Sequence, residues 1–139
     1  GKLVISRHLR ADSRELAAHA RAKGITFVEA ERELLGTDHT AVGAVLAQEW
    51  RFPPEVVDAI ASHHAAPFAH PTVILDTVAI ANVVAKTIEA GLGAEGLNFA
   101  TDPASYRRLG VDFATLGRVC LRADAGLREL TRHSGVTSR

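Results

Sequence analysis

Hydrophobic side chains recur at spacings of three and four residues along almost the whole chain, and no strand-length stretch alternates hydrophobic with polar residues. A spacing of three and four places side chains on one face of an α-helix, whereas strict alternation is typical of a β-strand. The pattern therefore predicts an all-α fold, a compact bundle of seven or eight helices.

Capping and helix-breaking residues mark where the predicted helices begin and end. Thr26 followed three residues later by Glu29 is a capping box, and Gly24 and Gly36 end the helices that precede them. The predicted helices cover residues 1–9, 12–23, 26–35, 39–50, 53–63, 71–90, 103–109 and 113–133. The proline-containing stretch 64–71 is predicted to be a loop.

The length and composition fit one packed domain. With 139 residues, of which 47% are hydrophobic, the chain has enough apolar surface for a single core, and a disordered or fibrous protein is excluded. We therefore expect a single helical domain over residues 1–139. The sequence contains no methionine, so we interpret it as a piece of a longer polypeptide or one without its natural start.

Acidic and basic residues are equal in number, 16 of each, but they are unevenly distributed. Residues 1–35 carry a net charge of +2, residues 36–106 of −6 and residues 107–139 of +4. Because no overall field would draw the chain onto nucleic acid or an anionic membrane, we expect neither as a partner. The acidic middle and the basic end are either solvated helix surfaces or faces that pair with each other or with partners.

The sequence also indicates a compartment. Its longest hydrophobic stretch, residues 72–85, is interrupted by polar residues and is shorter than the roughly 20 residues that a membrane-spanning helix needs. No signal peptide precedes it. The single cysteine, Cys120, lies in an apolar stripe and is predicted to be an inert core thiol. A lone cysteine fits a reducing compartment, so we expect a cytoplasmic protein.

Three histidines are candidate metal ligands. His39 opens one predicted helix and could approach His63 and His64 at the end of the next, antiparallel helix. Other side chains of ligand type nearby in sequence are His70, Asp38, Asp58 and Asp76. No His-x-x-x-His, Glu-x-x-His or Cys-x-x-Cys motif places the ligands on one face, and an imidazolium near a helix C-terminus stabilises that helix without any metal. The residues therefore leave a metal site and purely structural histidines both open.

Other kinds of chemistry find little support in the residues. Ser62 and His63 are adjacent in a predicted helix, so their side chains point apart and form no nucleophile–base pair. The helices over 39–50 and 54–63 have the proportions of a DNA-binding helix-turn-helix, but the second carries two acidic residues and no residue that reads bases. We therefore predict no catalytic residue and no DNA binding.

Residues 31–64 carry a longer pattern: an acidic residue and a glycine, a histidine, a glycine four residues later, a tryptophan, a proline and a His-His pair. This pattern resembles that of the HDOD family, the HD-related output domains of bacterial signalling proteins. The corresponding residues are Gly36, His39, Gly43, Trp50, Pro53, His63 and His64. Because residues 1–4 and the helix over 71–90 are also similar to the family, the chain resembles the C-terminal part of an HDOD domain, and the predicted bundle is HD-like.

Packing explains part of this pattern. Gly43 lies one turn after His39 on the same helix face, where the helix can approach a neighbour closely. Trp50 is expected to close its helix as a large apolar packing residue, and Pro53 to start the next helix sharply.

Similarity to the wider HD superfamily implies metal-dependent phosphohydrolase chemistry, with His39, His63 and His64 matching histidines that bind metal in HD-GYP phosphodiesterases. Three departures argue against that activity. The His-Asp doublet of the superfamily would lie before Gly1, no Gly-Tyr-Pro follows the His-His pair, and Asn82 stands where those enzymes usually have an aspartate ligand. HDOD proteins are generally thought not to be hydrolases.

The leading hypothesis is therefore a non-catalytic, regulatory module of bacterial signal transduction that binds another signalling protein or a neighbouring domain and uses no cofactor. A homodimer is a further expectation if the chain is a piece whose packing surface is exposed. The alternative is a metal-dependent phosphohydrolase of the HD superfamily, vestigial or completed by residues before Gly1.

Overall fold

The computed structural model describes residues 1–8, 12–88 and 101–134. Within these ranges the chain forms eight α-helices and no strand, which confirms the all-α prediction. The helices are α1 (Lys2–His8), α2 (Ser13–Lys23), α3 (Phe27–Leu35), α4 (His39–Glu49), α5 (Pro54–Ser62), α6 (Val73–Thr87), α7 (Pro103–Arg108) and α8 (Phe113–Ser134).

Local capping explains most of these boundaries. The capping box of Thr26 and Glu29 starts α3, and Gly36 ends it in the left-handed conformation at φ 72°. Asp38 caps α4 by accepting hydrogen bonds from the backbone N–H groups of the second and third residues of that helix. The cap of α6 is Thr72, one residue after the expected start at Pro71. Its expected end near residue 90 lies outside the described residues.

The central layer of the fold is formed by α4, α5 and α6. α4 packs on α5 and α5 on α6, while α1 packs on α4, α2 on α3, and both α7 and α8 on α6. The buried hydrophobic side chains of this layer are Ala47, Val57, Ala59, Leu75, Ala79, Ile80, Val83 and Val84. None of the helices in the described ranges has the length and apolar character needed to cross a membrane.

Close contact between α4 and α5 depends on Gly43. A Cβ atom at Gly43 would lie 2.9 Å from Cγ2 of Ile60, which is closer than such atoms come in proteins. The expectation that this glycine lets its helix approach a neighbour is therefore confirmed. The contact brings the start of α4 beside the end of α5.

The expected packing role of Trp50 is wrong, because this side chain is 68% exposed. The residue after it, Arg51, adopts the left-handed conformation at φ 57°. The backbone N–H groups of Arg51 and Phe52 donate to the carbonyls of Gln48 and Ala47, an arrangement that ends a helix and usually has glycine at the left-handed position. The turn leaves Trp50 and Phe52 on the surface, with their rings 6.3 Å apart.

Cys120 is not a core thiol as expected, because it is only half-buried. None of the α8 side chains that the structure describes is buried. The physical reason is that α8 packs along one side, mainly on α6, so its apolar stripe is only partly covered.

Candidate functional site

The three candidate ligands His39, His63 and His64 come together and form what we call the histidine cluster. One ligand nitrogen from each ring lies within 4.8 Å of the others. His39 is the first residue of α4, and His63 is the C-terminal cap of α5. The centroid of the His39 ring lies 5.6 Å from that of His63 and 5.1 Å from that of His64. His70 is exposed and lies outside this cluster.

Glu31 of α3 forms hydrogen bonds with His39 and fixes the orientation of its imidazole ring. Glu31 is 1% exposed, and its Oε2 accepts a hydrogen bond from the His39 backbone N–H at 3.1 Å and lies 2.6 Å from Nδ1 of the ring. Because a carboxylate only accepts, Nδ1 carries the proton and Nε2 of the neutral ring carries the lone pair. Nε2 is buried and has no hydrogen-bond partner in the part of the chain that the structure describes.

His63 and His64 each contribute a further ring nitrogen to the cluster. Nδ1 of His63 donates to the carbonyl oxygen of Ile60 at 2.8 Å, so in the neutral ring the lone pair is on Nε2. Burial, and after it positive charge on neighbouring histidines and lysines, lowers the pKa of His64 to about 3. His64 is therefore neutral at pH 7, which is the form of imidazole that binds metal ions.

Two lysines contribute positive charge beside the cluster. Lys86 of α6 is buried and Lys2 of α1 is exposed, and both lie close enough to His64 to lower its pKa. Positive charge of this kind opposes a bare cation and favours an anionic group, such as a phosphoryl group, next to the imidazoles.

The contact of Glu31 with His39 was not predicted from the sequence. The sequence does contain a pattern that indicates a buried carboxylate: Glu31 lies three residues after Val28, on the buried face of α3. A carboxylate on an inward face needs a hydrogen-bond donor from another element, and the nearest polar residue at the start of the next helix is His39.

The three aspartates that lie near these histidines in sequence do not join them. Asp38 caps α4 and forms an ion pair with Arg32 at 2.6 Å. Asp58 is exposed. Asp76 belongs to a different group of side chains, described next, and none of the three is part of the histidine cluster.

Asp76 of α6 lies at the centre of a second buried polar group, which we call the Asp76 centre. Its Oδ1 accepts hydrogen bonds from Ser105 Oγ at 2.6 Å and from Arg108 Nη2 at 2.6 Å, and its Oδ2 accepts one from Arg108 Nε at 2.7 Å. Arg108 also donates to Asp102 at 2.8 Å. The hydrogen bonds from Arg108 hold the pKa of Asp76 below its usual value. These contacts fix α7 on α6.

Comparison with known proteins agrees with the pattern around the histidine cluster. The family model of the HDOD domain matches residues 1–66. Residues 1–66, slightly less than half of the chain, are therefore similar to the HDOD domain, whose name denotes an HD-related output domain of signalling proteins. No curated protein and no solved structure matches the chain.

The HDOD match includes all three histidines of the cluster and Glu31. It ends shortly after α5, so α6, α7 and α8 lie beyond it. Whether residues 1–139 form one domain stays a prediction.

Proposed function

We propose that the chain is a non-catalytic regulatory module that acts by binding another signalling protein or a neighbouring domain. The observation that carries this proposal is the HDOD match over residues 1–66. The ligand set of the histidine cluster supports it, because no carboxylate joins the three imidazoles among the described residues. Phosphate-ester hydrolysis at a two-metal site requires more ligands than three imidazoles provide.

An exposed apolar corner at the end of α4 suits a protein partner. Val45, Trp50 and Phe52 are exposed by 58%, 68% and 48%, and we call them the aromatic corner. Exposed tryptophan is typical of residues that dominate binding energy at protein interfaces. The left-handed Arg51 between the two rings costs roughly 1–2 kcal/mol of conformational strain, and such strain is concentrated at functional sites.

Charge next to the aromatic corner indicates the chemistry of the partner. The exposed carboxylates Glu49 and Glu55 flank the two rings in sequence. A partner surface with an apolar pocket bordered by lysine or arginine would complement this corner.

Affinity capture with three baits tests the proposal. The wild-type chain is compared with Trp50→Ser and with Phe113→Ser, which removes an even more exposed aromatic side chain from α8. We expect a signalling protein or domain that binds the wild type and Phe113→Ser but not Trp50→Ser, with direct binding confirmed by calorimetry on the purified pair. Binding that survives Trp50→Ser would place the interface elsewhere, and a chain that binds no signalling protein but hydrolyses phosphate esters would overturn the proposal.

A second candidate function, a metal-dependent phosphohydrolase, is favoured by one observation: the buried Nε2 of His39 has no hydrogen-bond partner among the residues that the structure describes. Three neutral imidazoles with a carboxylate behind one of them fit a single divalent transition metal. Such an ion would act as a Lewis acid toward a phosphoryl oxygen, and Lys2 and Lys86 would attract the substrate anion. Asn82, half-buried on α6, is a poor replacement for a carboxylate ligand.

Elemental analysis together with an activity assay separates the two functions. The wild type, His39→Ala and His70→Ala are purified without chelators, the last as a matched histidine outside the cluster. Phosphohydrolase function predicts metal and hydrolysis of phosphate esters in the wild type and His70→Ala, and neither in His39→Ala. Metal that depends on His39 without any hydrolysis would contradict the enzyme and agree with the regulatory module.

A further inference from the structure

Arg51 stands at a backbone position where the chain elsewhere uses glycine. The helices α2, α3 and α7 are each followed by a glycine in the left-handed conformation, Gly24, Gly36 and Gly110. Arg51, which follows α4, is the only non-glycine residue with a left-handed backbone among the residues that the structure describes. A residue with a Cβ atom is strained in this conformation, whereas glycine is not. Glycine would therefore form the same turn more readily, so the turn itself does not explain the arginine.

The side chain of Arg51 does not hold the fold together either. It is exposed, and its guanidinium forms no ion pair or hydrogen bond with any residue that the structure describes, including the exposed carboxylates of Glu49 and Glu55. A positive charge near the end of a helix stabilises the last carbonyl groups, but a residue of ordinary conformation in the last turn would supply that charge without strain. The strained arginine is explained by an interaction outside this chain.

The neighbours of Arg51 indicate what that interaction is. The rings of Trp50 and Phe52 are exposed by 68% and 48%, and their centroids are 6.3 Å apart. Tryptophan and arginine are among the residues that most often dominate the binding free energy of protein interfaces. A partner that covers the two rings excludes water next to Arg51, and an ion pair formed there is stronger than one in open solvent. The planar guanidinium binds a carboxylate through two parallel hydrogen bonds.

We propose that Arg51 forms an ion pair with a carboxylate of the partner, so that the aromatic corner binds a segment in which an aspartate or glutamate lies next to large apolar side chains. A carboxylate suits this site better than a phosphoryl group, because Glu49 and Glu55 would repel the two charges of a phosphoryl group more strongly. The lysines or arginines that complement Glu49 and Glu55 lie outside the acidic part of the segment. This inference rests on the proposed function, because it names the chemistry of the partner at the same corner.

Selection from a library of random dodecapeptides displayed on phage tests the inference without a known partner. Peptides that the wild type retains and Trp50→Ser does not retain are ligands of the aromatic corner, and we expect them to carry aspartate or glutamate next to large apolar residues. Synthetic copies are then titrated into each variant by calorimetry. Arg51→Gly should raise the dissociation constant about tenfold, and Arg51→Lys should raise it about fivefold, because lysine keeps the charge but lacks the planar fork. Arg21→Ala, which removes an exposed arginine from α2, should leave it unchanged.

Thermal unfolding separates a binding role of Arg51 from a structural one. Arg51→Gly should raise the thermal midpoint by about 3 °C, because the relief of backbone strain outweighs the loss of one exposed charge. The same variant should therefore be more stable than the wild type and bind the selected peptides more weakly. A structural role predicts instead that stability and binding fall together, and that result would overturn the inference.

The selection distinguishes failure of this inference from failure of the proposed function. Peptides that depend on Trp50 but carry no acidic residue, or that bind Arg51→Gly as tightly as the wild type, would overturn the ion pair with Arg51 and leave the aromatic corner as a binding site. A selection that yields no peptide dependent on Trp50 would overturn the aromatic corner as a binding site and this inference with it.

Discussion

Two buried polar centres in the described part of the chain are each built around a carboxylate that is almost completely inaccessible to solvent. They differ in whether every buried polar atom has a hydrogen-bond partner. In the Asp76 centre both carboxylate oxygens accept hydrogen bonds, and the donors come from Ser105 and Arg108 of the same chain. In the histidine cluster Glu31 is likewise satisfied by His39, but the far nitrogen of that imidazole is left without a partner among the described residues.

The difference separates a structural role from a binding role. A buried carboxylate whose donors are all supplied within the fold holds two helices together and has no capacity for a ligand. A buried nitrogen without a hydrogen-bond partner destabilises the fold, and a ligand that binds this nitrogen removes that cost. The nitrogen therefore marks the place where a ligand would gain the most binding free energy. The two centres should therefore respond oppositely to mutation and to added metal.

Removing the carboxylate of the Asp76 centre should give the largest loss of stability. Asp76→Ala leaves the buried Ser105 without its acceptor and removes two hydrogen bonds of the partly exposed Arg108, so the free energy of unfolding should fall by about 3 kcal/mol. Urea unfolding measures the change. Asp58→Ala, which removes an exposed carboxylate from α5, is the matched control and should stay within about 0.5 kcal/mol of the wild type. A loss at Asp76 no larger than that of the control would show that this centre does not hold α7 on α6.

Added metal should affect the histidine cluster and not the Asp76 centre. At a free Zn²⁺ concentration a hundredfold above its dissociation constant, the wild type should gain about 2.7 kcal/mol in free energy of unfolding. The gain should disappear in His39→Ala and persist in His70→Ala, as read from the shift of the thermal midpoint. Equal shifts in both variants would mean that zinc binds somewhere other than the cluster.

Truncating Glu31 should destabilise the protein less than truncating Asp76. Glu31→Ala leaves the backbone N–H and Nδ1 of His39 without an acceptor, at a cost of about 2 kcal/mol. Glu31→Gln keeps one acceptor oxygen and should be nearly as stable as the wild type, yet bind Zn²⁺ about 10–100-fold more weakly, because the carboxylate raises the basicity of the ligand. Unchanged zinc affinity in Glu31→Gln would argue that Glu31 only fills space behind His39.

The dependence of stability on pH should separate the two centres. The pKa of His64 falls from 6.5 to about 3 on folding, so below pH 6.5 the unfolded chain binds a proton that the folded chain does not. The contribution of His64 to the free energy of unfolding is therefore lost as the pH falls from about 6.5 toward 3. Asp76 has its pKa lowered from 3.8, so its contribution is present above that value and is lost only below it.

Urea unfolding at several pH values with a chelator present resolves these two windows. His64→Gln should flatten the dependence between pH 6.5 and 5, whereas Asp76→Asn should change the dependence mainly below pH 4. The assignment fails if His64→Gln leaves the slope between pH 6.5 and 5 unchanged.

Much of the fold could be predicted because its signals are local. The caps at Thr26 and Asp38 and the left-handed glycines at 24 and 36 act within a few residues of their own position, and each helix boundary follows from them. The proximity of His39 to His63 and His64 could also be anticipated, because two consecutive antiparallel helices bring the start of one beside the end of the other.

The predictions from the sequence were wrong where the exposure of a side chain depends on what packs against its helix. Trp50 has a hydrophobic side chain at a helix end, but the left-handed turn at Arg51 places it on the surface. The stripe of α8 has the spacing of a buried face, yet periodicity cannot show whether a partner helix covers it within the same chain.

The sequence by itself determined where the helices lie, which family pattern they carry and which three histidines meet. Only the tertiary structure decided which polar groups are satisfied: Glu31 reaches His39 across eight residues of sequence, and Arg108 reaches Asp76 across 32. The physical reason is that caps and periodicity act within one or two helical turns, whereas the partner of a buried polar group is set by how whole helices pack, and no short stretch of sequence encodes that arrangement.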